Sequence, residues 1–329
     1  MATIQYYNRA FTCNEGQTVL DVLLENGQDI PYSCKMGVCV SCVLQVVDGD
    51  IPEQAQDGLR ASHAARGHFL ACVCEPTTDI SITNIDNQDL FSPAQVHHIE
   101  YASRGVCRVF LEPTTPLFYH AGQFMNLRRD DGLVRSYSIA SVPNLDEFLE
   151  FHVKRLDRGQ MSNWIMESLK AGDHLGMQGP LGNCYYQPGR PDQDMLLVGN
   201  GAGLAPLIGI ARDALASGHT GLIQLYHGSR TPTGLYLDDD LRALDARHDN
   251  FYYGPCLSQE VRTEGYRQGR ADDIAFSDHT DLKDWRVFLC GYPPMVHSAQ
   301  NRALKAAALA TDIYTDPYEL KELRKIPRV

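Results

Sequence analysis

Ser33-Cys34-Lys35-Met36-Gly37-Val38-Cys39-Val40-Ser41-Cys42 is the stretch that decides how the rest of the chain is read. Three cysteines stand at C-x4-C-x2-C, and Cys72 follows thirty residues after Cys42. This is the spacing of a plant-type [2Fe–2S] cluster. The physical reason is reach: three thiolates must wrap two irons within a short loop, and the fourth must return from elsewhere. Gly37 supplies the tight or left-handed backbone that such wrapping needs. Structural zinc sites usually carry two C-x2-4-C pairs. Here only Cys72-Val73-Cys74 could form the second pair, and its spacing is too short. Cys34, Cys39, Cys42 and Cys72 are therefore the expected metal ligands. Cys74 is the alternative fourth ligand, or else a small buried hydrophobe.

The flanking residues read as a compact α+β unit. Residues 3–13 suggest a hairpin turning at Asn8-Arg9. Thr18 followed by Asp21 has the form of a capped helix start. Val19, Leu20, Leu23 and Leu24 would face the core, and Gly27 is placed to end the helix. Residues 43–47 and 80–85 read as strands, the first ending at Asp48-Gly49-Asp50. A polar linker is expected over 86–93.

Beyond it the texture changes twice. Residues 106–111, 123–128, 135–140 and 148–155 suggest short strands of an antiparallel barrel, interrupted by a helix near 161–170. After Pro191, Met195–Val198, Leu222–His227 and Val287–Cys290 are apolar strands followed by loops and helices, as in a doubly wound parallel sheet. The expected domains are 1–90, 96–190 and 191–329.

The chain carries 29 Lys and Arg against 41 Asp and Glu, a net charge of −12. Residues 1–90 hold 4 of the bases and 12 of the acids. That argues against nucleic-acid binding, which wants a basic stripe, and suits docking on a basic protein face. Ten cysteines with no basic-then-apolar leader do not read as a disulfide framework. No apolar run is long enough for a membrane span. A cytoplasmic location is expected.

Two further sites are legible. Arg135-Ser136-Tyr137-Ser138 lies on an expected barrel strand. Its guanidinium can clamp a pyrophosphate, its phenol can stack on a flavin, and Ser138 can hydrogen-bond near the flavin atom that receives hydride. Gly159-Gln160-Met161-Ser162 opens a helix, whose free N–H groups favour phosphate. Gly199-Asn200-Gly201-Ala202-Gly203-Leu204-Ala205-Pro206 follows an apolar strand and opens another helix, the context a nucleotide loop requires. Pro206 suits an early helical position. Gly228-Ser229-Arg230 should lie near an adenosine ribose. Cys290-Gly291-Tyr292-Pro293-Pro294-Met295 ends a strand at the carboxyl edge, where open sheets bind ligands.

On these motifs the chain resembles the ferredoxin-NAD(P)H reductase components of bacterial multicomponent oxygenases: the benzoate and naphthalene dioxygenase reductases, and those of the toluene and methane monooxygenases. The resemblance spans essentially the whole chain. It implies a β-grasp ferredoxin domain, an antiparallel β-barrel FAD domain and a doubly wound nicotinamide domain. It implies that Phe69–Cys74 is the fourth-ligand segment, with its first cysteine on iron. Arg135, Ser136, Tyr137, Ser138, Gly159, Met161 and Ser162 would hold FAD, with His152 and Lys154 on a strand that touches it. Gly201, Gly203, Pro206, Ser229, Arg230, Cys290, Gly291 and Met295 would hold the nicotinamide nucleotide, NADH being favoured and NADPH possible. Ser138, Cys290 and the terminal aromatic Tyr318 (or Tyr314) would serve hydride transfer. The implied activity is an NAD(P)H:acceptor oxidoreductase. It passes hydride to FAD, then single electrons through the cluster to an oxygenase or hydroxylase component, or to an intermediate carrier. The same architecture could serve a deoxysugar-forming dehydratase or, with degenerate sites, a non-catalytic electron carrier. Lys35 stands where the family often has arginine, and the basic stretch 321–328 runs past its usual end.

Overall fold

The computed structural model describes residues 1–32, 34–59, 61–85, 90–259 and 264–318. Part of the expected linker and the basic stretch 321–328 lie outside these described residues. Contacts group the chain into two compact units. One is Met1–Ser92 with Asn126–Ser136 and Gly176–Leu181; the other is Pro93–Met125, Tyr137–Leu175 and the chain from Gly182 onward.

In the first unit, β1 (Ala2–Tyr6) and β2 (Arg9–Cys13) form the expected hairpin, with Tyr7 at φ 51° in its turn. Helix α1 (Val19–Glu25) is capped by Thr18, whose Oγ1 accepts from the Asp21 amide at 3.2 Å and donates to its carboxylate at 2.8 Å. Val19, Leu20, Val22 and Leu23 form its buried side, so Val22 takes the place expected of Leu24, which is partly buried. Strand β3 (Val43–Asp48), helix α2 (Ala61–Ala64), β4 (His68–Leu70) and β5 (Ile80–Thr83) complete a sheet ordered β2-β1-β5-β3-β4. Parallel pairing of β1 with β5 inside an otherwise antiparallel sheet is the β-grasp arrangement.

The central stretch has six strands: β6 (Ser92–Ser103), β7 (Val106–Pro113), β8 (Phe124–Arg128), β9 (Val134–Ser138), β10 (Leu149–Lys154) and β11 (His174–Leu181), with α3 (Gln160–Glu167) before the last. Their order is β10-β7-β6-β11-β8-β9. An antiparallel bridge from Ile139 to Phe151 joins the chain just past β9 to β10, closing the two ends as a barrel does. The sequence reading overlooked β6 and β11. The former starts inside the segment read as linker and carries Pro93, His97 and His98; the latter contains Gly176, Gly179 and Pro180.

The last stretch is β12 (Met195–Asn200), α4 (Leu204–Ala216), β13 (Ile223–Ser229), α5 (Asp238–Asp245), β14 (Phe251–Leu257), β15 (Arg267–Gln268), α6 (Ala271–Asp278), β16 (Arg286–Gly291), α7 (Pro293–Lys305) and β17 (Ile313–Pro317). The sheet is ordered β15-β14-β13-β12-β16-β17, with every pair parallel. Order reverses at β12, so the carboxyl ends of β12 and β16 flank the crevice where such sheets bind ligands.

Arg286 opens β16 fully buried. Its guanidinium donates to the Gln187 and Arg190 carbonyls and to Gln193, and lies 5.4 Å from the Tyr186 ring centre. This fixes the segment that leads into β12. Arg286→Met would leave those acceptors unsatisfied and is expected to cost about 3 kcal/mol, read as a lower denaturant midpoint with unchanged slope.

Candidate functional site

The four expected ligand cysteines fall into two pairs. Cys34 N–H donates to Cys39 Sγ, and Cys39 N–H to Cys34 Sγ, both at 3.3 Å; Met36 N–H also points at Cys34 Sγ, at 3.3 Å. A hydrogen bond between the thiols pulls Cys34 down to about 5 and pushes Cys39 up. Cys42 and Cys72 form the second pair, in which a shared hydrogen bond lowers Cys72 and raises Cys42. Cys74 stands apart beside Cys13, and burial pushes it up to about 12. Among the described residues no three such side chains converge on one metal position. Two thiol pairs match the needs of two irons better than those of a single zinc ion. Gly37 sits at φ +78°, and Lys35, also left-handed, pairs with Asp21 at 2.8 Å.

The motif Arg135–Ser138 lies on β9 of the barrel, as expected. Gly122 N–H donates to Ile139 O at 2.9 Å, Ile139 N–H to Gln123 O at 2.7 Å, and Gln123 Nε2 to Gly182 O at 3.2 Å. On β9, alternation puts Arg135 and Tyr137 on one face and Ser136 and Ser138 on the other. Ser136 donates to Asn126 Oδ1 at 2.7 Å. Gly159 caps α3 without a side-chain bond, and a Cβ there would lie 2.3 Å from Ser162 Oγ. Ser162 is buried and closes the turn by accepting from Leu156 N at 3.2 Å; Met161 is buried as well. The first N–H groups of α3 have no intrahelical partner, so the backbone there can take a pyrophosphate while both side chains pack inward. His152 lies elsewhere. It is buried, with Nε2 2.7 Å from Glu150 and Nδ1 3.0 Å from the Tyr236 hydroxyl. Both ring nitrogens are thus engaged within the protein.

A cleft of about 1740 Å³ opens at the carboxyl edge of the parallel sheet. Lys154, Gly159, Gly201, Ser229, Arg230 and Met295 line it, with Arg104, Arg155, Arg158 and Arg270 adding positive charge against Asp157 and Asp272. Such an excess of cations suits a polyphosphate. Desolvation and then the Arg230 charge hold Lys154 below the ordinary lysine range. The glycines of the loop divide their work. A Cβ on Gly203 would lie 2.4 Å from Cys290 O, and one on Gly199 would lie 2.6 Å from Leu207, so both serve close packing. Gly201, at φ +52°, is the one that faces the cleft. Pro206 is the third residue of α4.

Beyond the loop, Ser138 Oγ donates to Asp316 Oδ2 at 2.6 Å and lies 3.0 Å from the Tyr318 hydroxyl. Tyr318 reaches Ala202 O through its hydroxyl at 3.2 Å and Gly291 O through its amide at 2.7 Å. Cys290 is fully buried, pairs in register with Asp316, and has Cys184 Sγ 3.6 Å away. Burial pushes its thiol up. Ser138, Cys290, Gly291 and Tyr318 are therefore brought together, while Tyr314 stacks on Phe288 at 4.9 Å. Sequence reasoning missed two members. Asp316 is half-buried, and desolvation pushes it up to about 6 against the Ser138 bond. Asn200 accepts from the Tyr292 amide at 3.0 Å and holds the loop after β16. Asp316 stands two residues before Tyr318, the expected terminal aromatic; nothing in the sequence marked Asn200.

Family models match in the same order as the sites. A 2Fe-2S iron-sulfur cluster binding domain covers residues 2–77, an oxidoreductase FAD-binding domain 95–186 and an oxidoreductase NAD-binding domain 197–301. The chain is 36% identical over 304 residues to an aromatic O-demethylase reductase subunit from Amycolatopsis sp., covering 88% of this chain and 90% of that protein. It is 30% identical over 321 residues to the reductase component of the naphthalene 1,2-dioxygenase system of Pseudomonas putida, covering 96% and 97%. Among solved structures, the Amycolatopsis cytochrome P450 reductase GcoB matches with a TM-score of 0.69 at 31% identity, over 97% of this chain and 99% of that one. With the paired thiols, the barrel motifs and the basic cleft already in place, these matches make the chain a member of the ferredoxin/FAD/NAD(P)H reductase components of bacterial multicomponent oxygenase systems.

Proposed function

We propose that this protein draws hydride from NADH and delivers single electrons to an oxygenase component. The observation that carries this reading is the knot in which Ser138, Asp316 and Tyr318 join the flavin strand to the glycine loop and to Gly291. FAD bound at such a site converts a two-electron donor's delivery into one-electron steps. Ser138, its proton held by Asp316, presents its hydroxyl oxygen at the reacting edge, Tyr318 covers that edge, and Cys290 shapes the nicotinamide pocket. Arg135 offers its guanidinium to the flavin cofactor and Tyr137 stacks on the ring, while the free N–H groups at the start of α3 suit a phosphate. Cys34 with Cys39 holds one iron, and Cys42 with Cys72 the other. Lys154, Ser229 and Arg230 take the nucleotide's phosphates and adenosine ribose.

The partner follows from the relatives, whose names tie them to naphthalene 1,2-dioxygenase, phenol 2-monooxygenase and an aromatic O-demethylase. The acidic surface of residues 1–90, with Met36 and Val38 exposed between the ligand cysteines, is the docking face of this reading. No described helix is long and apolar enough to cross a membrane; a cytoplasmic reaction is part of this proposal.

NADH is favoured over NADPH because of Asp272. Ala271 packs against Gly228 at the end of β13, which sets the buried Asp272 carboxylate in the cleft wall, 3.5 Å from Arg270 and 3.8 Å from Arg302, so that a 2′-phosphate would have to compete with it for Arg270. NADH-driven cytochrome c reduction is expected to exceed the NADPH-driven rate about tenfold in kcat/KM, roughly one unfavourable charge contact. Equal rates would overturn the preference, and no reduction with either nucleotide would overturn the reading.

A further inference from the structure

Asn126 lies in β8, fully buried, and every polar atom of its side chain is used. Nδ2 donates to Cys39 O at 2.7 Å and to Gln178 Oε1 at 2.7 Å, and Oδ1 accepts from Ser136 Oγ at 2.7 Å. All four residues lie in the first unit. Cys39 is thereby held at both ends of its backbone: its N–H points at Cys34 Sγ and its C=O receives Asn126. Ser136 stands between Arg135 and Tyr137, the flavin-contacting residues of the proposed function.

We propose that Asn126 is a positioning residue that fixes the cluster loop to the flavin strand and sets the rate of one-electron transfer from flavin to cluster. Two observations support this. A buried primary amide with three bonds is costly to rearrange, since each lost partner leaves a desolvated polar group. It therefore holds the loop in a single place. The same bonds also make a continuous path from Ser136 through Asn126 to the Cys39 carbonyl, from which Cα and Cβ lead to Sγ. An electron crosses bonded and hydrogen-bonded atoms more readily than an equal span of open space. The inference rests on the flavin and cluster assignments above.

The test compares Asn126→Asp holoenzyme with the parent. The carboxylate keeps the shape and removes both donors. The parent's visible spectrum and reduced-cluster EPR signal come first; if either cofactor is missing there, the functional reading fails rather than this inference. Stopped-flow mixing with NADH should show flavin bleaching within about twofold of the parent, and cluster reduction slowed about tenfold or more. Hydrogen exchange of the backbone amides over 34–42 should speed up, a change independent of turnover. Gln178→Leu, which removes one acceptor of the same amide, should shift both readouts in the same direction by less, and it decides the matter if the Asp variant fails to hold its cluster. Unchanged cluster reduction with the cluster intact would overturn the proposal. So would a uniform loss of all rates, which is what a merely structural residue gives.

Discussion

Cys39→Ser is expected to keep NADH-driven reduction of ferricyanide, which takes electrons from flavin, and to lose cytochrome c reduction by about 100-fold or more, beyond what loss of even an outer partner costs a metal site. Cys39 is nearly fully buried, receives the Cys34 amide at 3.3 Å and donates its own amide to Cys34 Sγ. A serine hydroxyl gives up its proton far less readily than a thiol, and a hard oxygen suits iron–sulfur chemistry poorly. The hydride site is formed by other residues: Ser138, Asp316, Tyr318 and the loop Gly201–Gly203 make their contacts without Cys39. The two assays should therefore separate cleanly. If they fall in parallel, electrons do not leave through the cluster.

Asp316→Asn is expected to slow hydride transfer about 10- to 100-fold and to flatten its pH profile near 6. Burial pushes Asp316 from 3.8 up to about 6, with the Ser138 hydroxyl opposing the shift. Cys290 and Tyr318 are the other titratable groups beside it, and both are held neutral at physiological pH by burial. Above pH 6 the carboxylate is ionised and receives the Ser138 proton, which orients the hydroxyl. Below it, protonation removes that acceptor, so the parent's hydride transfer should fall as pH drops through about 6. Stability runs the other way. A folded-state pKa raised above the unfolded value favours folding when the group is protonated. That contribution is complete below about 3.8 and is lost as pH rises through about 6. Two units correspond to roughly 2–3 kcal/mol, as an order of magnitude. The Asn variant should thus lose this pH slope, and its Tm at pH 7.5 should be no lower than the parent's. A parent rate that rises on acidification, or a variant that keeps the inflection, would remove Asp316 from the site.

The parts of the molecule that were legible in the sequence are those where chemistry restricts residue type. Thiol spacing over 34–42, the Thr18 cap, the Gly199–Pro206 loop and the Cys290 strand end all involve residues that few others can replace. Strands β6, β11 and β14 were illegible for a common reason. Hydrogen bonds to neighbouring strands hold them extended, while their sequences carry Pro93, Gly176, Pro180, Gly254 or Pro255, residues that read as breaks. Periodicity reports one-sided burial; β6 and β11 alternate only over their first few residues, and β14 is buried almost throughout. The site residues that escaped notice, Asn126, Asn200 and Asp316, act through partners distant in sequence: Cys39, Tyr292 and Ser138. His152 shows the converse. Its position on β10 suggested a cofactor contact, but its ring is taken up by Glu150, two residues away on the same strand, and by Tyr236, far along the chain.

The central claim is that one polypeptide carries hydride acceptance and one-electron delivery in series. Anaerobic titration of the purified protein with NADH, followed by optical and EPR spectra, addresses it most directly. The account predicts bleaching of a yellow chromophore together with the signal of a reduced binuclear cluster, and uptake of about three electrons per chain, two by flavin and one by the cluster. A flavin that bleaches while no cluster signal appears, or a protein that contains neither chromophore nor iron, would contradict it.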